Sequence, residues 1–375
     1  MYNVICIDKS ARVCYHMVKL IKRVMILDNN EYMNNGQPLR APVQPPPPRA
    51  LSPEAAQRKA FKGKVEYMGC GLLIYTFIIY GIYLTDLFGH YIYYAFKSTS
   101  KDNYTELVEA YTEKMLEKAG SMIVGVVIGV LFMTLFFIKA LPLKKIFAHH
   151  RKMTFPKLIM LVCVLMSCQL VFTFIDEGVE WLLNQVGLSL QQAIEMSQAG
   201  STTVSMFLYA SILGPIAEEI VYRGFVMHTF ERAGCGKFCS IFASAILFGI
   251  MHANPTQSVF AIYVGVVFGY AAMEFGLGWS IALHIINNFL FGDVLTFIAN
   301  KLPETAANVL EWGVLIVLFI AGAAVLIIKR KNVASYIREN NPPVKHYSYI
   351  FTCISILAFI VLNILLALST VQGLK

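Results

Sequence analysis

The chain has 375 residues, of which 57% are hydrophobic and 14% charged, and its mean hydropathy is +0.60. A soluble domain carries about a quarter charged residues, so this balance points to the membrane and argues against a soluble globular protein. The formal net charge of +8, from 31 basic and 23 acidic residues, gathers in particular loops. That distribution marks membrane topology rather than nucleic-acid binding.

Residues 1–67 read as a polar, basic leader containing "APVQPPPPRALSP". Consecutive prolines favour polyproline II, so a disordered or extended cytoplasmic tail is expected, with a plain spacer favoured over a docking site for a proline-binding partner. Within it, "VKLIKRVMIL" has the pattern of a short amphipathic helix lying on a membrane. The first long apolar run begins only near Met68, so no signal peptide is expected.

Apolar segments follow at 68–96, 119–140, 157–175, 202–230, 238–253, 257–275, 278–299, 305–328 and 348–370. Most approach or exceed the ~20 residues a spanning helix needs. The expected fold is therefore all-α, a polytopic transmembrane bundle of about eight or nine membrane helices. Its expected parts are N-terminal membrane helices over 68–199, a core over 200–300 and C-terminal helices over 301–375. The acidic "IDEGVEWLLNQVGLSLQQAIEMSQAG" between the third and fourth runs reads as a helix at the membrane surface. If each run crosses once, the basic stretches "RKAFKGK", "LKKIFAHHRK", "ERAGCGK" and "KRKNVASYIRENNPPVK" all fall on one side. The positive-inside rule makes that side cytoplasmic, with the N-terminus inside and the C-terminus outside.

Eight cysteines, Cys6, Cys14, Cys70, Cys163, Cys168, Cys235, Cys239 and Cys353, lie mostly in or beside apolar runs, where the residue behaves as a small hydrophobe. Cys235 and Cys239 have no second Cys/His pair near them, so they read as packing rather than as zinc ligands.

Ionisable groups at membrane depth are the informative ones, because each is costly unless satisfied. Three clusters stand out: Glu218-Glu219-Ile-Val-Tyr-Arg223, Phe248-Gly-Ile-Met-His252 and His284-Ile-Ile-Asn287-Asn288. Glu219 and Arg223 are spaced i,i+4 with the acid first, the favourable order for an ion pair. Glu218 lies about 100° away around the helix and is left as a free carboxylate. His284 and Asn288 share a face. Counting along ideal helices from the expected cytoplasmic ends puts Glu218 and His252 about 20 Å deep and His284 only about 10 Å, a gap the fold must close if they share a pocket. An isolated intramembrane His or Asn commonly serves as an interhelical hydrogen-bond donor, which is the plain alternative for His252 alone and for Asn287, while the other helices hold only scattered polar residues such as Asp86, His90, Gln169, Glu274 and Asn363. Asp86 and His90 are spaced to pair with each other near one end of the first helix.

A carboxylate in an apolar pocket can act as general base on water, with imidazole and carboxamide donors stabilising an oxyanion. Alternatively, Glu and two His hold a zinc whose bound water attacks. The His-Glu-x-x-His helix of soluble zinc proteases and the Gly-x-Ser-x-Gly elbow are both absent from the sequence.

The three ordered motifs resemble those of the CPBP family, which comprises the CAAX prenyl endopeptidases and the bacterial proteins grouped with them as bacteriocin-processing or self-immunity proteases. The resemblance covers about residues 200–300. It implies an intramembrane endopeptidase that hydrolyses a peptide bond of a membrane-embedded or membrane-associated peptide or protein in the lipid bilayer. Glu218 would activate the water with His252 close by, His284 and Asn288 would form the oxyanion site, and Glu219 with Arg223 would brace it. The metal-free glutamate mechanism is preferred, with no cofactor, and zinc is the alternative. Short loops and the charge pattern suggest a bacterial plasma membrane, and hence a bacteriocin precursor or signal fragment rather than a prenylated protein as substrate. The rival classes are a non-catalytic membrane regulator or immunity scaffold, and a transporter, for which no inverted repeat is visible.

Overall fold

A computed structural model describes residues 52–141, 146, 148, 151–198, 200–341 and 345–374. The polyproline run, the "VKLIKRVMIL" stretch, Cys6 and Cys14 lie outside the described residues, as do parts of the second and fourth basic stretches.

The described chain is a bundle of helices. Seven are long and apolar enough to cross a membrane: α1 (Pro53–Lys97), α3 (Gly120–Phe137), α4 (Phe155–Asn184), α6 (Val204–Ala233), α8 (Pro255–Phe275), α9 (Leu277–Ala299) and α10 (Glu304–Asn340). Two shorter apolar helices, α7 (Lys237–Met251) and α12 (Ile354–Leu368), have 15 residues each. At 1.5 Å per residue each is about 22 Å long, less than the ~30 Å hydrocarbon thickness. Three polar helices, α2 (Lys101–Glu117), α5 (Gln191–Gln198) and α11 (Lys345–Phe351), connect them. The nine apolar segments read from the sequence reappear in order, and the chain is a multi-pass membrane protein.

Two boundaries differ from expectation. Helix α1 starts at Pro53, so residues 53–67 are helical where a tail is expected. Ser52 caps this helix by accepting from Ala55 N–H, and proline fits its first turn. Phe61, Val65, Met68, Leu72 and Tyr75 then form one buried stripe at helical spacing, which carries the helix through the polar stretch. Helix α4 continues to Asn184, past an interruption at Ser167, and so takes in the first part of the acidic segment expected at the membrane surface.

Contacts at the two ends of the bundle show that the long helices run alternately up and down. At one end, Lys64 bonds the carbonyl of Arg232 (3.0 Å), Arg232 bonds the carbonyl of Ala140, and Lys62 bonds Thr352 (2.8 Å). Glu274 there receives Lys237 (2.8 Å), Arg151 (3.1 Å) and the Tyr336 hydroxyl (3.0 Å). Residues of all four basic stretches thus meet at the same end. At the other end, β1 (Leu188–Ser189) pairs antiparallel with β2 (Gln372–Gly373), and Asn254 bonds the carbonyl of Ala193. The buried core between the ends draws on α1, α3, α4, α6, α7, α8, α9 and α12.

Candidate active site

Helix α6 carries the two acids at mid-length, and its backbone is unusual there. Pro215 has no N–H to donate, and its ring would crowd the carbonyl one turn back. The helix adapts by widening into a π-helical turn at Leu208–Leu213, and a second follows at Ile220–Met227. The α-helical stretch Gly214–Glu219 lies between them and holds Glu218 and Glu219. A side chain at Gly214 would come within 2.8 Å of the Tyr209 carbonyl oxygen, so the turn needs glycine there. Isolated π-turns inside α-helices occur frequently at functional sites.

Glu219 is fully buried and fully partnered. One oxygen lies 2.7 Å from Arg223 Nη1 and 2.9 Å from His284 Nδ1, and the other accepts from the Ser280 hydroxyl. The ion pair expected at i,i+4 is present, with both side chains 0% exposed. Arg223 also donates through Nη2 to the Gly265 carbonyl (3.1 Å), and its guanidinium lies 4.2 Å and 5.4 Å from the ring centres of Phe248 and Phe268. A buried guanidinium is tolerated when it is paired and stacked in this way. Gly265 makes room for it, since a side chain there would sit 3.0 Å from Nη2.

Glu218 points elsewhere. It is 22% exposed, and Oε2 lies 3.7 Å from His284 Nε2. The two neighbouring acids of α6 therefore hold the two nitrogens of one imidazole on α9. A carboxylate only accepts, so the Nδ1 facing Glu219 carries a hydrogen. Nε2 donates when the ring is protonated and accepts when it is neutral. The ring is also stacked on Phe268, with centres 4.5 Å apart.

His252 closes α7. Its Nδ1 lies 2.9 Å from the Phe248 carbonyl oxygen, which only accepts, so the neutral ring keeps a free lone pair on Nε2. Phe248 touches both imidazoles, with ring centres 4.8 Å from His252 and 5.9 Å from His284. Glu218, His284 and Arg223 all lie within electrostatic reach of His252. The next residue, Ala253, has φ of 49°, the left-handed region that non-glycine residues rarely adopt. Asn254 then caps α8 and is extended ahead of Pro255. Such strain is characteristic of functional turns.

The three motifs of the sequence thus converge on one interhelical site. Residues 200–290 match the family model Rce1-like, Type II CAAX prenyl endopeptidase Rce1-like. This Rce1-like segment covers α6 to α9 as far as Leu290 and carries all three motifs, so it coincides with the part of the chain that resembles the CPBP family. The match indicates a protease and supports a CAAX-type intramembrane endopeptidase. Comparison with curated proteins and with solved structures gave no match.

Within the Rce1-like segment the predicted residues are not all equally close. Glu218, Glu219, Arg223 and His284 are linked by direct contacts, and His252 joins through Phe248. Asn288 donates from Nδ2 to the Ala210 carbonyl (2.8 Å), in the first π-turn of α6, and its Oδ1 accepts from Asn287 (2.9 Å). One hydrogen of the Asn288 amide stays available for another acceptor. The contacts of His284 with Glu218 and Glu219 close the depth gap. Met273 to Leu277 are buried, with Glu274 beneath Arg151, Lys237 and Tyr336. A count along ideal helices from the expected ends therefore does not locate His284 relative to Glu218.

Sequence reasoning missed Ser280 and the tyrosines. Ser280 precedes His284 by one turn on the same face, a spacing that could have identified it. Tyr75, Tyr209 and Tyr222 lie within electrostatic reach of Glu218, and Tyr75 belongs to α1, outside the Rce1-like segment.

Among the described residues, no group of three or more His, Cys, Asp or Glu is arranged to hold a metal ion. Glu219 is committed to Arg223, Ser280 and His284, and Nδ1 of each imidazole is committed to a protein acceptor. Glu218 and Nε2 of His252 and His284 are the groups left over, with Nδ1 of each ring placed as in metal-bound imidazoles, so the zinc alternative would draw on these three.

Proposed function

We propose that the chain is an intramembrane endopeptidase in which Glu218 activates a water to hydrolyse a peptide bond of a membrane-associated peptide or protein. The observation that carries this reading is the division of labour between neighbouring acids. Glu219 is neutralised and buried, whereas Glu218 has no partner on its own helix and faces Nε2 of His284 at 3.7 Å.

The chemistry follows from the groups at hand. Water donates one hydrogen to Glu218 and the other to the free lone pair on His252 Nε2. Its oxygen attacks the scissile carbonyl carbon while a proton passes to Glu218, and the carbonyl π pair moves onto oxygen. Nε2 of His284, when it carries a hydrogen, and the remaining Asn288 hydrogen donate to that oxyanion. The C–N bond then breaks, and the proton held on Glu218 passes to the leaving nitrogen. Glu219 holds His284 in the orientation this requires, and Arg223 offsets the charge of Glu219.

The name of the matched family points to a C-terminal CAAX segment as substrate, so a farnesylated fluorogenic CAAX peptide is the first probe, with its unprenylated counterpart beside it. The basic end of the bundle is assigned to the cytoplasm on the positive-inside rule, which places the β1–β2 end outside. Purified wild-type protein in lipid nanodiscs should cleave one of the probes, and Glu218→Ala should abolish cleavage while the protein remains folded. Cleavage that survives Glu218→Ala refutes this reading.

A further inference from the structure

The second half of α9 is joined to α6 by a carboxylate that the reaction described above does not use. Asp293 accepts from the Ser201 backbone N–H (3.0 Å) and from the Ser211 hydroxyl. Ser201 lies just ahead of α6, and Ser211 sits in its first π-helical turn, Leu208–Leu213. Around this link the chain packs closely. The Phe207 and Phe289 rings meet edge-on with centres 6.0 Å apart, and a side-chain carbon at Gly200 would sit 3.1 Å from both the Gly292 carbonyl oxygen and Thr296. Apolar packing of this kind does not require a carboxylate, which is costly in a membrane span unless satisfied.

The link bears on the site through the residues beside it. Ser211 directly follows Ala210, whose carbonyl accepts from the Asn288 amide (2.8 Å). Asn288 and Asp293 both lie in the π-helical turn of α9, Asn288–Leu295. On an α-helix, residues five apart lie about 140° apart around the axis. A π-turn, closed by i→i+5 bonds, brings such residues towards one face. Asn288 and Asp293 can therefore hold adjacent residues of α6, Ala210 and Ser211.

We infer that Asp293 is a positioning residue that acts through Asn288. By tying α9 to Ser211 it fixes the Ala210 carbonyl, which occupies one hydrogen of the Asn288 amide and so aims the other at the oxyanion. This inference rests on the proposed hydrolytic reading and deepens it. A donor aimed before the substrate arrives needs no reorganisation when the oxyanion forms.

The test is a double-variant cycle at the two positions, in the full chain in nanodiscs, with the farnesylated CAAX peptide as probe and Glu218→Ala alongside. Asn288→Ala removes one oxyanion donor and should lower kcat about 100-fold or more, a rate still readable in long incubations. Asp293→Ala should lower kcat about tenfold and leave KM within about twofold of wild type. In the Asn288→Ala background the same change should alter kcat by less than about twofold, because the amide it aims is gone. Asp293→Asn keeps an acceptor for the Ser201 N–H and offers a donor to the Ser211 oxygen, so its kcat should stay within about threefold of wild type. Should Asp293→Ala fail to fold, Ser211→Ala goes through the same cycle, with kcat lowered beside Asn288 and unchanged without it. An equal fall in kcat in both backgrounds overturns the inference, because Asp293 would then serve the fold alone. Wild-type kcat in Asp293→Ala or in Asn288→Ala, with cleavage lost in Glu218→Ala, also overturns it and leaves the hydrolytic reading intact. Cleavage retained in Glu218→Ala refutes the hydrolytic reading instead.

Discussion

Glu219 and His284 come from helices joined through two intervening ones, yet Oε1 of the acid lies 2.9 Å from Nδ1 of the ring. The same oxygen holds Arg223 at 2.7 Å. One buried carboxylate therefore neutralises a guanidinium and fixes an imidazole, and it leaves the preceding acid, Glu218, free to face the other ring nitrogen.

Breaking this arrangement at Arg223 should be costly. Arg223→Met leaves a buried carboxylate uncompensated and should destabilise the protein by about 3–5 kcal/mol. Glu219→Leu combined with Arg223→Met removes both charges and should recover much of that loss. The double variant should still be inactive, because His284 loses the acceptor for Nδ1. Thermal unfolding and probe cleavage measured on the same samples separate the two effects, and an active double variant would contradict the positioning role.

Gly265→Ala tests the fit around the guanidinium. The added carbon would lie 3.0 Å from Arg223 Nη2, 3.1 Å from Ala245 and 3.2 Å from Phe248. Overpacking of this kind costs about 1–3 kcal/mol, so the thermal midpoint should fall and cleavage with it. Gly278→Ala is the control, since nothing lies within 4 Å of a carbon added there. Equal effects at the two positions would contradict the account of Arg223.

Ser280→Ala removes one of the three donors to Glu219. The loss should be about 1–2 kcal/mol of stability with cleavage reduced, a smaller effect than that of Arg223→Met. A Ser280→Ala protein as unstable as Arg223→Met would show that the hydroxyl, rather than the ion pair, dominates the environment of Glu219.

Cleavage in the presence of a strong chelator, with zinc content measured on the purified protein, tests the choice between mechanisms. The glutamate reading predicts full activity in chelator and no stoichiometric zinc. Stoichiometric zinc whose removal abolishes cleavage, restored on adding the metal back, would replace Glu218 as activator of the water.

Much of this was legible in the sequence, because both the spans and the motifs rest on local signals. Long apolar runs gave the helices in order, and the i,i+4 spacing of Glu219 and Arg223 gave their ion pair. The link from Glu219 to His284 was not legible, because it depends on how α6 and α9 pack against each other in the bundle. The α8–α9 turn that positions α9 is tied by Glu274 to Arg151, Lys237 and Tyr336, which come from distant parts of the chain. Nor does periodicity reveal the two π-turns of α6, although Gly214-Pro215 marks a place where an ordinary helix would be disturbed. Tyr75 carries no sequence signal at all. Its ring packs on Gly129, where a side chain carbon would sit 2.8 Å away.

The most direct measurement is the steady-state rate of Glu218→Gln, which keeps the shape and hydrogen-bonding capacity of the side chain and removes its basicity. The account predicts that kcat on the cleaved probe falls by roughly 100-fold or more, with the thermal midpoint close to that of the wild type. A Glu218→Gln protein that cleaves within a few-fold of wild type would contradict it.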